Sequence, residues 1–214
     1  MTEVKETGGA RIGMGNATWP FATLTVDKNK LQLNATILGN LVFRPGDIIS
    51  IVPYSRFLSK GLKINHTVSK YKDPIIFWTS GSQSDLIKRI EQTGFLTNTD
   101  PIAIDLEESI ARAQSQGGFP LRTTAAIAIL VIWNILFLID FQDFFRKNKG
   151  AVTIGHGAQL ALGFILVICL LLLTFEPARR LILKDGRSIN DIKMFVYFAM
   201  FICGFMLLIS TLVL

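Results

Sequence analysis

Cysteine is almost missing from this chain of 214 residues, and the two that occur, Cys169 and Cys203, both lie inside long apolar stretches. A thiol in such surroundings behaves as a small hydrophobe, so packing is the expected role of both rather than redox or metal chemistry. Histidine is as scarce. His66 and His156 stand far apart, without a cysteine or carboxylate cluster at ligand spacing, so no metal site is expected. There is no phosphate-cradling glycine loop followed by lysine, no HExxH and no nucleophile elbow, and Gly13-Met14-Gly15 is too short for a dinucleotide fingerprint. The expectation is a non-catalytic chain that needs no cofactor. An apolar run near the start is lacking too: residues 1–14, MTEVKETGGARIGM, are polar and glycine-rich, and nothing in them reads as a secretory leader.

What is present in quantity is hydrocarbon, and it is concentrated at the back. Three stretches, 123–141, 152–175 and 194–214, are each long enough to cross a hydrocarbon core of roughly 30 Å. The charged residues are concentrated before Arg122 and in the two short loops between these spans. Domains are therefore expected at 1–97, a folded polar part; 98–120, a connector; and 121–214, a three-helix membrane part.

Loop charge sets an orientation. Arg112 and Arg122 precede the first span, and Arg179, Arg180, Lys184, Arg187 and Lys193 fill the loop between the second and third, against Arg146, Lys147 and Lys149 in the other loop. The positive-inside rule places the first set, and the polar domain with it, in the cytoplasm, with the C-terminus on the far side. The acceptor patterns at Asn16, Asn34 and Asn65 are then chance matches, because glycosylation happens only in a secretory lumen. The net charge of +6 is partly this topological signal, so it does not call for a nucleic-acid partner.

The polar part reads as strands: 21–26, 30–35, 37–43, 48–54, 61–67 and 74–79 are short, β-branched or aromatic, and bounded by turn formers. The period then changes. Ser82 or Ser84 can cap a helix with Leu86, Ile87 and Ile90 on one face, closed by Thr93-Gly94-Phe95. A second helix is expected from Asp100-Pro101, with Ile102, Leu106, Ile110 and Ala113 on one side, ending at the breaker Gln116-Gly117-Gly118-Phe119-Pro120. Its apolar side can pack on the strands, lie at a membrane surface or meet a partner. The breaker is expected to let the two parts reorient.

The order of strands then helix, the opening Arg11-Ile12-Gly13-Met14-Gly15-Asn16-Ala17-Thr18-Trp19-Pro20-Phe21-Ala22 and the late Ile75-Ile76-Phe77-Trp78-Thr79 resemble bacterial pleckstrin-homology-like (GRAM-like) domains over residues 11–95. The resemblance implies a bent, nearly closed antiparallel barrel of about seven strands, the first near 10–14, plugged by the last helix. It also implies a lipid- or protein-binding module at a bacterial inner (plasma) membrane. The fold class expected is thus α+β: a PH-like barrel capped by a helix, a connector helix and three transmembrane helices.

Candidate binding residues are Arg56, Lys60, Lys63, Lys70 and Lys72, a run with no acid until Asp73. Each basic residue near an anionic lipid surface contributes about 1 kcal/mol, although lysines beside strands also serve simply to discourage edge pairing. Phe57 and Leu58 in the same loop are either membrane tips or core residues. Within the spans, Asn134 and Gln159 fall at similar depth and can bond each other, Asp140 and His156 can pair, and Thr153, Gly157 and Ala161 form a small-residue ridge, with Gly163 and Gly204 as further close-approach points. The expected function is a membrane-anchored scaffold whose cytoplasmic domain engages a partner protein or anionic headgroups, with membrane lipids and a protein partner or homo-oligomer as its contacts. The alternative is a small transporter or channel component that lines its path with Asn134, Gln159 and His156. A lipid-modifying enzyme is disfavoured.

Overall fold

The computed structural model describes residues 2–56, 59–146 and 155–212; Phe57, Leu58 and Thr153 lie outside them. The chain divides into two compact units, Met1–Pro120 and Leu121–Leu214.

The first unit is a curled, antiparallel seven-stranded half-barrel followed by two helices. Its strands are β1 (Glu3–Ile12), β2 (Gly15–Asp27), β3 (Leu31–Asn34), β4 (Asn40–Phe43), β5 (Ile48–Arg56), β6 (Ser59–His66) and β7 (Ile75–Trp78), and α1 (Gln83–Gln92) and α2 (Ile104–Ser115) complete it. The spatial order is β4-β3-β2-β1-β7-β6-β5. Each strand is next to its sequence neighbour except at β1/β7 and at the opening between β4 and β5. Alternation drives the curl: Leu24 and Val26, Leu31 and Leu33, Leu41 and Phe43, Leu62 and Ile64, and Ile75 and Phe77 all turn to one interior. Fully burying a side chain of this size contributes roughly 1.5–3 kcal/mol, and Phe43, Phe77 and Phe95 are all sealed from solvent.

The first strand differs from expectation. It runs from Glu3 rather than from about residue 10, and it is the central strand of the sheet. Its polar and glycine-rich composition masks it. A Cβ on Gly8 would stand 2.0 Å from the Trp78 carbonyl oxygen and 2.7 Å from the Phe77 ring, so the residue that looks least strand-like is the one that lets β7 come close. The expected strand at 37–43 is shorter as well. Residues Thr36–Leu38 form a 3-10 turn, in which the Asn34 carboxamide accepts from the Thr36 N–H at 2.9 Å.

Helix α1 follows the sequence reading. Ser82 accepts from the Asp85 N–H, Gly94 takes φ 75°, and Leu86, Ile90 and Phe95 enter the core. The connector helix does not start at Asp100. That carboxylate pairs with Lys28 at 2.6 Å, and the helix begins at Ile104. It packs on β4, with Ile110 and Gln114 buried. Gln114 donates to the Val42 carbonyl at 3.0 Å and to Asp47 at 2.6 Å, the Tyr71 hydroxyl accepts from the Val42 N–H at 3.2 Å, and the Asn40 N–H donates to the Gly118 carbonyl at 2.9 Å. The connector and its Gly117-Gly118 end thus belong to the first unit, covering the open edge of β4, so this unit does not stop at residue 97.

The second unit holds α3 (Thr123–Arg146), α4 (His156–Thr174), α5 (Glu176–Ile182) and α6 (Ile189–Leu212). Three of these carry windows apolar enough to span a membrane, Thr123–Asp140, His156–Thr174 and Ile189–Ser210, with mean hydropathies of 2.1, 2.4 and 2.3. The third window opens at Ile189, five residues before the expected start. Helix α4 packs against both α3 and α6. Asp140 near the end of α3 caps α4, its carboxylate accepting from the Gly157 and Ala158 N–H groups at 2.7 Å each. At the other end, Arg179 donates to the carbonyls of Leu172 and Leu173.

Two outcomes follow for stability. A fragment of residues 1–97 exposes the β4 edge and is expected to aggregate, whereas 1–120 stays monomeric in size-exclusion chromatography, and Gln114→Leu in that fragment lowers urea-unfolding stability by about 1–3 kcal/mol through the loss of its two hydrogen bonds, Asp47 keeping Arg44 and Val42 keeping Tyr71 as donors. In the full chain in detergent, Asp140→Ala is expected to cost about 1–2 kcal/mol in helical thermal unfolding, and Asp140→Asn less, because an amide oxygen still accepts.

Candidate functional site

The five basic candidates do not form one patch. Strand pairing sets Arg56 opposite Ser59 and Ser55 opposite Lys60, so Arg56 and Lys60 sit together at the tip of the β5–β6 hairpin. Lys63 lies mid-strand, paired with Val52 and Ile76. Lys70 and Lys72 lie beyond the other end of β6, about 20 Å along the strand from Lys60; Lys72 borders the β1–β2 turn at Gly13. An extended hairpin separates what the sequence had placed side by side.

At the hairpin tip a cleft of about 580 Å³ is lined by Ser55, Arg56, Ser59, Lys60, Thr79, Ser80 and Gly81. β6–β7 pairing brings these residues together, since Gly61 stands opposite Trp78 and the chain then passes from Thr79 into α1. Gln83 clamps the corner. Its amide donates to the carbonyls of Tyr54 and Gly61, and the Ser55 hydroxyl donates to its oxygen at 3.3 Å. Thr79 is buried and donates to Glu6 at 3.1 Å, while Arg89 holds the other oxygen of Glu6 at 3.0 Å. The Glu6 carboxylate is thus turned to Arg89 and Thr79. What faces the cleft is two exposed cations, Arg56 and Lys60, and the hydroxyls of Ser59 and Ser80, the Ser55 hydroxyl being given to Gln83. This arrangement suits an oxyanion with several acceptor oxygens. The hydroxyls escaped the sequence reading because Thr79 and Ser80 are some twenty residues from Lys60; the only signal was a Thr-Ser-Gly-Ser run before a helix cap.

The intramembrane candidates have structural partners. Asn134 donates to the Leu130 carbonyl of its own helix at 2.7 Å, and Gln159 donates to the Ser210 hydroxyl of α6 at 3.3 Å, so they do not bond each other. Asp140 caps α4 instead of pairing with His156, because two backbone N–H groups converge on its carboxylate. Gly157 and Ala161 are buried, and a Cβ on Gly157 would lie 2.4 Å from the Leu136 carbonyl oxygen, which makes the ridge a seam between α3 and α4. A Cβ at Gly163 or Gly204 meets nothing within 4 Å, so neither is a close-approach point within this chain. His66 is a core residue, its ring 5.4 Å from Phe43 and 6.1 Å from Tyr71. Among the described residues, no group of three or more His, Cys, Asp or Glu is placed to hold a metal ion. No family model, curated protein or solved structure matches this chain.

Proposed function

We propose that this is a membrane-anchored, non-catalytic binding protein whose first unit is a PH-like (GRAM-like) module that takes anionic headgroups in the Arg56–Lys60 cleft. The cleft carries the reading: two cations and a set of hydroxyls converge at one end of the half-barrel, with Glu6 engaged elsewhere. A seven-strand meander open between β4 and β5, with a helix entering the core after the last strand, supports the PH-like assignment. The three apolar helices supply the anchor. By loop charge the first unit is cytoplasmic, in a bacterial inner membrane. The transport alternative has less support, because Gln159 is bonded to Ser210 of α6 and Asn134 to a carbonyl of its own helix.

Fragment 1–120 is expected to co-sediment with vesicles containing phosphatidylglycerol and to release as salt rises, but to ignore phosphatidylcholine. At about 1 kcal/mol per basic residue, the double variant Arg56→Gln/Lys60→Gln should bind at least tenfold more weakly (about 1.4 kcal/mol is tenfold), and Lys70→Gln/Lys72→Gln less than twofold more weakly. Equal losses in both would reduce the cleft to a generic basic surface. No vesicle binding, together with a stoichiometric protein copurifying with the full chain in mild detergent, would replace the lipid with a protein partner.

A further inference from the structure

One polar group stands among large hydrocarbon side chains on the outward face of α3. The inward face is the seam with α4: Ile129, Trp133, Leu136 and Asp140 recur at helical spacing and are half-buried, Asp140 caps α4, and a Cβ on Gly157 would meet the Leu136 carbonyl. Asn134 is turned by about 100° from Trp133 and is exposed. Ile127, Leu130 and Phe137 lie on the same side of the helix, 56, 55 and 38 % exposed. No residue of the α3 window is buried.

An amide in that position lacks partners. Asn134 sits about 16 Å and 9 Å inside the two ends of its apolar window, Thr123 and Asp140, at a depth where lipid offers neither donor nor acceptor. One side-chain N–H donates to the Leu130 carbonyl at 2.7 Å. Its carboxamide oxygen and second N–H have no hydrogen-bond partner among the described residues. An acceptor and a donor are therefore held side by side in hydrocarbon.

Spacing and symmetry identify what covers them. Ile127, Leu130, Asn134 and Phe137 recur at three, four and three residues, the a and d positions of a heptad seam, in which a single asparagine at an a position fixes register and strand number. Copies of one chain insert in one orientation, so two α3 helices run parallel with their Asn134 residues at equal depth. A two-fold axis along the membrane normal then lets each amide donate to the oxygen of the other. A different helix would need a polar residue of its own at that depth; a second copy always brings one.

We propose that the chain forms a parallel dimer through α3, with the Asn134 amides of the two copies hydrogen-bonded to each other. This rests on reading the apolar helices as membrane spans and is independent of the Arg56–Lys60 cleft.

The test uses the full chain in membranes and in lipid vesicles. It should stay in the membrane fraction through a carbonate wash; release would overturn the spans and the dimer together, whereas every later result bears on the dimer alone. Energy transfer between donor- and acceptor-labelled copies in vesicles should saturate as a dimer. Asn134→Leu should weaken that association about tenfold with helicity unchanged, and Asn134→Gln, which keeps the amide, should retain most of it. In a Cys169→Ala/Cys203→Ala background, copper-phenanthroline oxidation in membranes should cross-link Leu130→Cys and Phe137→Cys, but not Ile132→Cys or Ile139→Cys, which are exposed on the other side of α3. If that background does not fold, the energy-transfer series decides. A monomer in vesicles, undiminished association of a folded Asn134→Leu chain, or cross-linking as strong at Ile132 and Ile139 as at Leu130 and Phe137 would each overturn the proposal.

Discussion

A buried or lipid-facing peptide group cannot be left without a hydrogen-bond partner, and both units of this protein are organised around that constraint. In the first, seven strands do not close, so β4 and β5 are edges. The β4 edge is met by side chains and a returning strand of backbone: Tyr71 and Gln114 serve Val42, and the Gly118 carbonyl serves Asn40. That requirement recruits residues 104–118 to the sheet. In the second unit the same need arises at the ends of α4, where Asp140 supplies acceptors for the first turn and Arg179 supplies donors for the last. Charged groups at span ends are held there by helix termini whose partial charges oppose theirs.

The uncovered edge is the one next to the cleft. β5 pairs only with β6, carries Pro53 within it and ends at the basic hairpin tip. Proline and charge both discourage addition of a foreign strand, so edge protection alone would account for Arg56 and Lys60. It does not account for Gln83 locking the hairpin to α1, or for the serine hydroxyls on the cleft wall. Edge protection needs charge; a fixed corner that presents donors at set positions is what recognition of an oxyanion needs in addition.

Most of the element order was legible in the sequence because alternation and capping are local. Leu31 and Leu33, the Ser82 cap and the Gly94 terminus could be read from neighbours in the chain. What could not be read were contacts between distant residues. β1 looked unlike a strand because the glycines it needs to approach β7 carry no strand signal. Asp100 looked like a helix cap because Lys28, its partner, is seventy-odd residues away. The binding residues show the same limit: five basic residues within seventeen positions looked like a single loop set, yet a straight hairpin puts them at opposite ends, and the cleft draws its other wall from residues 79–81. In the spans, hydropathy located the helices, but the partners of Asp140 and Gln159 depended on helix packing.

Those partners bear on what the spans do. Without a hydrophobic drive between helices in lipid, association rests on close packing and on hydrogen bonds. The α3–α4 seam uses Gly157 and Ala161, and the α4–α6 seam uses Gln159 with Ser210. The groups on these two seams are thus already committed within one chain. A Cβ at Gly163 or Gly204 meets nothing within 4 Å, while the window of α3 has none of its residues buried and presents large side chains such as Ile127, Leu130 and Leu138 beside the exposed Ala128 and Asn134. Lipid covers the large apolar side chains of α3 at no cost, whereas a helix from another copy gains most where a small residue lets backbones approach or a polar side chain such as Asn134 offers a hydrogen bond. Assembly between copies is therefore favoured at the α4 and α6 surfaces that carry Gly163 and Gly204 and at the α3 surface that carries Ala128 and Asn134, not at the stretches of large apolar side chains.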